Sequence, residues 1–213
     1  MELTLIQQIA IWALPVLAAI TLHEAAHAYA ARHFGDPTAY LQGRMTLNPL
    51  KHIDPVGTVL VPLLCLLLPG SLLFGWARPV PVNFAALRDP CRNGRWVAAA
   101  GPLSNLVMAV GWMLLLRFAL MLDGHYFQVP LQLMAQAGVL INVALMVLNL
   151  LPIPPLDGGR ILLLSLPPRH AMWLARIEPY GIIVLVLLLA TGLLGGIMHP
   201  LLELVYGMLS WLA

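Results

Sequence analysis

The chain has 213 residues, of which 61% are hydrophobic and only 9% charged, with a formal net charge of +2. A soluble domain carries about 25% charged residues, so this composition cannot build a water-facing surface and excludes a soluble enzyme. No Lys/Arg cluster is present that could follow a phosphate backbone, which excludes nucleic acid as a partner. Cys65 and Cys91 form no motif, and no disulfide framework is expected.

What remains is an all-α polytopic membrane protein with the lipid bilayer as its solvent. A hydrocarbon core of roughly 30 Å needs about 20 apolar residues per helix. The first such stretch is 5–31. Residues 1–10 lack a basic n-region, so it reads as a helix and not as a cleavable signal. Segment 39–47 has β-compatible residues around Gly43 and ends in Asn48-Pro49, which predicts a short strand or hairpin beside the membrane. Residues 56–76 are apolar but broken by Pro62 and Pro69-Gly70. Residues 77–95 read as an irregular linker punctuated by Pro79, Pro81 and Pro90. Helices follow over 96–121, opening near Gly101-Pro102, and over 132–152. Two C-terminal helices, 179–198 and 201–212, are separated at Pro200. This makes about five to six transmembrane segments in a single domain, 1–213.

The basic residues orient these segments. None precedes the first helix. Arg32, Arg44 and Lys51 follow it, then Arg78, Arg88, Arg92 and Arg95, then Arg160, Arg169 and Arg176. The three groups share one side only if 56–76 enters and leaves on the same side. That segment therefore reads as re-entrant, its non-helical backbone lining a wet cavity or packed on protein. The N-terminus is then outside, the chain sits in the cell membrane, and Arg117 alone lies away from the cytoplasm, near a helix end from which it can snorkel.

His23-Glu24-Ala25-Ala26-His27 is an H-E-x-x-H pattern. On a helix, positions i and i+4 differ by about 40° and one turn, so both imidazoles can reach one metal ion. Glu24 beside them can take a proton from a metal-bound water. In a soluble chain the same pattern is often a pair of surface histidines. Here Glu24 lies in an apolar stretch, where an ionisable group costs about 2.5–3.5 kcal/mol and is by default functional. A catalytic zinc site usually has a third protein ligand, commonly a carboxylate. Asp157 follows the apolar run directly, in Asn149-Leu-Leu-Pro-Ile-Pro-Pro-Leu-Asp157-Gly-Gly. The prolines break the helix there, and the break can aim a carboxylate back into the bundle. The competing reading of Asp157 is an N-cap of the next short helix.

H-E-x-x-H in a first core helix, Gly101-Pro102-Leu-Ser-Asn105 in a middle helix and N-x-x-P-x-x-x-L-D-G closing a third resemble the site-2 protease family of intramembrane metalloproteases, peptidase family M50. Segment 44–55 resembles its compact bacterial branch. The resemblance covers roughly residues 18–165. It implies that His23, His27 and Asp157 bind one zinc ion and that Glu24 is the general base. Asn149 would contact the substrate backbone or oxyanion, and Gly43 and Arg44 would lie on a β element that presents a transmembrane protein substrate in extended form. Asn105, near the start of the middle helix, reads from its position either as a hydrogen-bond partner of a ligand or neighbouring helix or as a packing residue. No PDZ or CBS domain, which some relatives carry, is read here. The competing function is a non-hydrolytic zinc-binding scaffold or a metal transporter. A transporter, however, would spread polar residues along a path instead of gathering them at one depth. His52 and Asp54, in a loop on the basic side, read as a tether, with a second polar site as the alternative.

Overall fold

The computed structural model describes residues 3–60 and 77–211, and these are helical with irregular connections. Helix α1, Leu5–His33, starts at Thr4, whose side chain accepts from Gln7 N while the Gln7 side chain accepts from Thr4 N. This reciprocal capping box satisfies two of the orphan donors at a helix start.

Residues 38–47 do not form the expected strand or hairpin. They open with a short helix, α2 (Thr38–Leu41), and no β-strand occurs among the described residues. The reason is local. The Asp36 carboxylate accepts from Thr38 N and Thr38 Oγ1, which favours a helical turn. Gly43 then takes φ +64° while Arg44 N donates to Ala39 O. The glycine that suggested mid-strand is a helix stop.

A turn of 3-10 helix covers Pro49–Lys51 and a π-helical turn covers Pro55–Leu60. The greater part of the expected re-entrant segment, residues 61–76, lies outside the described residues. Helix α3 runs Pro90–Leu120, so the linker before it ends at 89 and not at 95. Asp89 is the N-cap, accepting from Arg92 N, and Pro90 follows it in the favoured first-turn position. Gly101-Pro102 is therefore interior to α3 and does not open it.

Helix α4 is Gln128–Leu150, α5 is Asp157–Leu163, α6 is Pro168–Ile177, α7 is Gly181–Ala190 and α8 is Leu193–Ser210. The C-terminal break also moves. It falls at Gly192, in a left-handed conformation (φ +75°), while Pro200 lies inside α8. Proline is tolerated inside membrane helices because neighbouring groups re-satisfy the freed backbone.

Among the described residues, five stretches are long and apolar enough to cross a bilayer: Leu5–His33, Pro90–Leu120, Gln128–Leu150, Pro168–Ala190 and Leu193–Ser210. They carry large hydrophobics on open surface, among them Ile6, Ile9, Val107, Phe118 and Leu204. Apolar exposure on this scale marks contact with lipid or protein. The chain is a multi-pass membrane protein.

Three helices make the centre of the bundle. α1 and α3 run antiparallel: the C-terminal end of α1 lies beside the start of α3, where Arg88 N donates to Phe34 O. α4 then runs back along α3, and Gly138 lets it close on Trp112, where a Cβ would fall 2.2 Å from the ring. The guanidinium of Arg160 comes back to 5.6 Å from the Phe84 ring. Arg44, Arg88 and Arg160, one from each basic group, thus lie toward the same end of the bundle.

Candidate metal centre

His23 and His27 lie one turn apart on the face of α1 that meets α3, each about 8% exposed. They fit there because α3 carries Gly101. A Cβ at that position would sit 2.3 Å from His27 Nε2 and 2.6 Å from His23 Nε2, far inside van der Waals contact. The two Nε2 atoms are 3.1 Å apart.

Asp157 completes the cluster. It is the first residue of α5, and the helix uses no side-chain cap, so the N-cap alternative is not the role it takes. Its Oδ2 lies 3.2 Å from His23 Nε2 and 3.3 Å from His27 Nε2. The chain turns tightly to bring it there. A Cβ on Gly158 would meet Leu150 O at 2.3 Å, and one on Gly159 would meet Pro154 N at 2.3 Å.

The protonation of both imidazoles can be read from what stands behind them. His27 Nδ1 faces Val97 O at 2.8 Å. A carbonyl only accepts, so Nδ1 carries the proton and Nε2 a lone pair. His23 Nδ1 faces Asn105 Oδ1 at 2.6 Å, and the orientation of that amide is set by a relay. Asn142 Nδ2 donates to Gly138 O (2.8 Å), so Asn142 Oδ1 is the atom that accepts from Asn105 Nδ2 (3.0 Å). Asn105 Nδ2 also points at Ala19 O (3.4 Å). Asn105 Oδ1 is therefore an acceptor, and His23 too is protonated at Nδ1.

Two imidazole lone pairs and a carboxylate oxygen thus converge, all within 4.8 Å of one another. Asp157 Oδ2 is buried and has no hydrogen-bond donor. Such a set of acceptors repels itself unless extra protons or a cation sit among them. Nitrogen, nitrogen and carboxylate oxygen form a donor set suited to zinc, and the backing of each histidine Nδ1 is the usual outer shell of such a site.

Glu24 is half-buried beside the pair, and its Oε2 accepts from Val80 N at 2.7 Å. The other expected site residues fall elsewhere. Asn149 stays half-buried and donates to Leu145 O of its own helix. Asn105 is wholly buried behind His23, not on a surface open to substrate. Gly43 has nothing within 4 Å of where a Cβ would be. Arg44, with no strand to sit on, is buried and donates from Nη2 to Arg78 O (2.9 Å) and Pro79 O (3.3 Å). His52 and Asp54 act locally as a tether: the His52 ring bonds Thr46 O, and Asp54 Oδ1 accepts from Val56 N and Gly57 N. Gly101, Asn142 and Val80 were not anticipated in these roles. Gly101 carried a signal through the Gly101-Pro102-Leu-Ser-Asn105 motif, and Asn142 through its place as an amide within an apolar run.

Five apolar spans and a buried His–His–carboxylate cluster flanked by a glutamate define a membrane protein with a metallohydrolase-type centre. Comparison with known proteins is consistent with this class. The sequence profile of peptidase family M50 matches residues 120–191. The chain is 41% identical over 200 residues to the candidate zinc metalloprotease YwhC of Bacillus subtilis, covering 88% of this chain and 84% of that one. It is 35% identical over 179 residues to the candidate zinc metalloprotease Rip2 of Mycolicibacterium smegmatis, covering 82% and 64%. For Rip2 of Mycobacterium tuberculosis H37Rv the identity is 32% over 184 residues, covering 84% and 66%. No solved structure matches the chain. The chain belongs to peptidase family M50, the site-2 protease family, and is a zinc metalloprotease.

Proposed function

We propose that this protein is an intramembrane protease that hydrolyses peptide bonds of transmembrane protein substrates within the bilayer or near its cytoplasmic side. It would reside in the cell membrane with its N-terminus outside. One observation supports the reading: His23 Nε2 and His27 Nε2, on an apolar helix long enough to cross a bilayer, converge with Asp157 Oδ2, and Glu24 stands beside the two histidines on the same helix. In this reading the three hold one zinc ion. Zinc bound there supplies Lewis acidity and makes a water available as nucleophile near neutral pH.

Glu24 takes a proton from the attacking water and delivers it to the leaving amine. Asn105 holds His23 in the ligating tautomer. Asn149 turns its amide from Leu145 O to the substrate backbone or oxyanion. Gly43 and Arg44 border the substrate's approach through the segment that Arg44 anchors. His27 is five residues, or about 7.5 Å of helix rise, from Arg32, so water reaches Glu24 from the basic end of the bundle. The substrate must unwind locally, because a helical peptide bond is shielded by its own turn.

The test uses purified protein in bilayer nanodiscs with a fluorescent protein fused to a single transmembrane segment as reporter. The wild type should hold one zinc and cleave the reporter. His23→Ala should lose the metal. Glu24→Gln should keep the metal and lose all cleavage. Proteolysis surviving in Glu24→Gln would sink the assignment of the base. One zinc with no cleavage of any membrane-anchored reporter would favour a non-hydrolytic scaffold.

A further inference from the structure

Val80 stands between Pro79 and Pro81. Proline has no amide hydrogen, so Val80 N–H is the single backbone donor across these three positions. A residue before proline is kept out of the helical region, so the sequence itself biases both Arg78 and Val80 toward extended backbone. That one donor is spent on Glu24 Oε2, at 2.7 Å.

The segment is pinned on both sides of this bond. Arg78 N donates to His52 O at 2.9 Å, and the His52 ring is itself tied to Thr46 O at 2.9 Å. Arg44 Nη2 donates to the carbonyls of Arg78 and Pro79. The Val80 side chain is 7% exposed and packs against Ala28 of α1 and Ala39 of α2, with Met45 at the edge. Ala28 is one turn beyond Glu24 on α1. The peptide therefore has little freedom to move relative to the carboxylate it holds.

A carboxylate base on a flexible two-carbon stem must be held in one orientation to act efficiently. A charge-assisted bond from a rigid backbone donor does this at little entropic cost. We propose that the Val80 amide is a positioning group for catalysis: it fixes Oε2 of Glu24 and leaves Oε1 to take the proton, and Arg44 is the residue that sets the segment in place. The inference rests on Glu24 being the general base.

The test compares Val80→Pro, which removes the N–H, with Val80→Ala, which keeps it and trims only packing. Both are assayed with the transmembrane reporter and by zinc content. Misplacing a reacting group by about 1 Å can cost on the order of 100-fold. Val80→Pro should therefore lose about 10- to 100-fold in kcat, with KM within about twofold and zinc unchanged. Val80→Ala should lose no more than about threefold. Arg44→Met should lower kcat by a smaller factor than Val80→Pro, and Arg44→Lys should recover part of it, since an ammonium can still donate to the two carbonyls.

A wild type that cleaves nothing breaks the protease reading itself. A wild type that cleaves, with Val80→Pro equally fast, overturns only the role of Val80. A Val80→Pro faster than wild type also overturns it, and makes the segment a restraint on Glu24. Where Val80→Pro does not fold, an amide-to-ester replacement at position 80 removes the same hydrogen, and equal kcat in the ester overturns the proposal.

Discussion

The two halves of the helical bundle treat polarity in opposite ways. Where α1, α3 and α4 meet, His23, His27, Asn105 and Asn142 are buried together, and each has named partners. In α7 and α8 the buried residues are Gly181, Leu185, Leu194 and Leu209, all of them apolar, and Gly195, Gly196 and Gly207 meet nothing within 4 Å. Lipid offers no water to rescue an unpaired polar group. The first half therefore has one arrangement that satisfies its amides and imidazoles. The second half, where the buried Tyr206 hydroxyl has no hydrogen-bond partner among the described residues, is held mainly by dispersion and can be altered piecemeal. The cluster able to hold a metal lies at the polar seam, and α8 packs instead on the apolar layer of Ala109, Met113, Val143 and Val147.

The seam breaks most completely where space is shortest. Gly101→Ala places a methyl 2.3 Å from His27 Nε2, so the purified variant should contain little or no zinc while far-ultraviolet circular dichroism stays helical. A zinc-replete Gly101→Ala would show that the seam is softer than the comparison implies. Gly158→Ala comes next. Its methyl would press on the Leu150 carbonyl at 2.3 Å and shift Asp157 off the histidines. Zinc affinity by chelator competition should fall at least about 100-fold, the most that loss of an outer partner costs, because here a ligand itself is displaced.

Asn105→Leu removes the acceptor behind His23 and frees the other tautomer, and zinc affinity should drop about 10- to 100-fold. Asn142→Leu should cost less, about tenfold, because Ala19 O still orients the Asn105 amide. If Asn142→Leu matched Asn105→Leu, the carbonyl of Ala19 would count for nothing and the relay would be the whole lock. The smallest effect belongs to the other half: Gly196→Ala in α8 should change neither zinc content nor cleavage. A loss of either would mean that the C-terminal helices transmit to the centre.

Much of the centre was legible in the chain itself. An i, i+4 histidine pair is a statement about one helix, and helix geometry alone puts both rings on one face. A proline-broken run ending in Asp157-Gly-Gly announces a turned-back carboxylate. Apolar length and the placement of Arg and Lys are likewise sums over neighbours in sequence. The misreadings came where two local signals competed. Gly43 fits a strand or a helix stop equally well, and the Asp36 carboxylate on Thr38 decides for the helix. Pro200 and Gly192 both could end a helix, and the left-handed glycine does.

What the sequence by itself determined is the chemistry available: His23, Glu24, His27 and Asp157, apolar spans to carry them, and the end of the bundle toward which Arg44, Arg88 and Arg160 lie. What only the tertiary structure decided is how those groups are held. Gly101 matters because of which face of α3 meets α1. Asn105 finds Asn142 because of the register between α3 and α4, and the amide of Val80 finds Glu24 across more than fifty residues of chain. The periodicity of an apolar helix shows how long it is and not which of its faces a neighbour covers, since in a membrane every face is apolar. The register between helices is set by packing and by the pairing of a few buried amides, and that pairing exists only once the helices stand side by side.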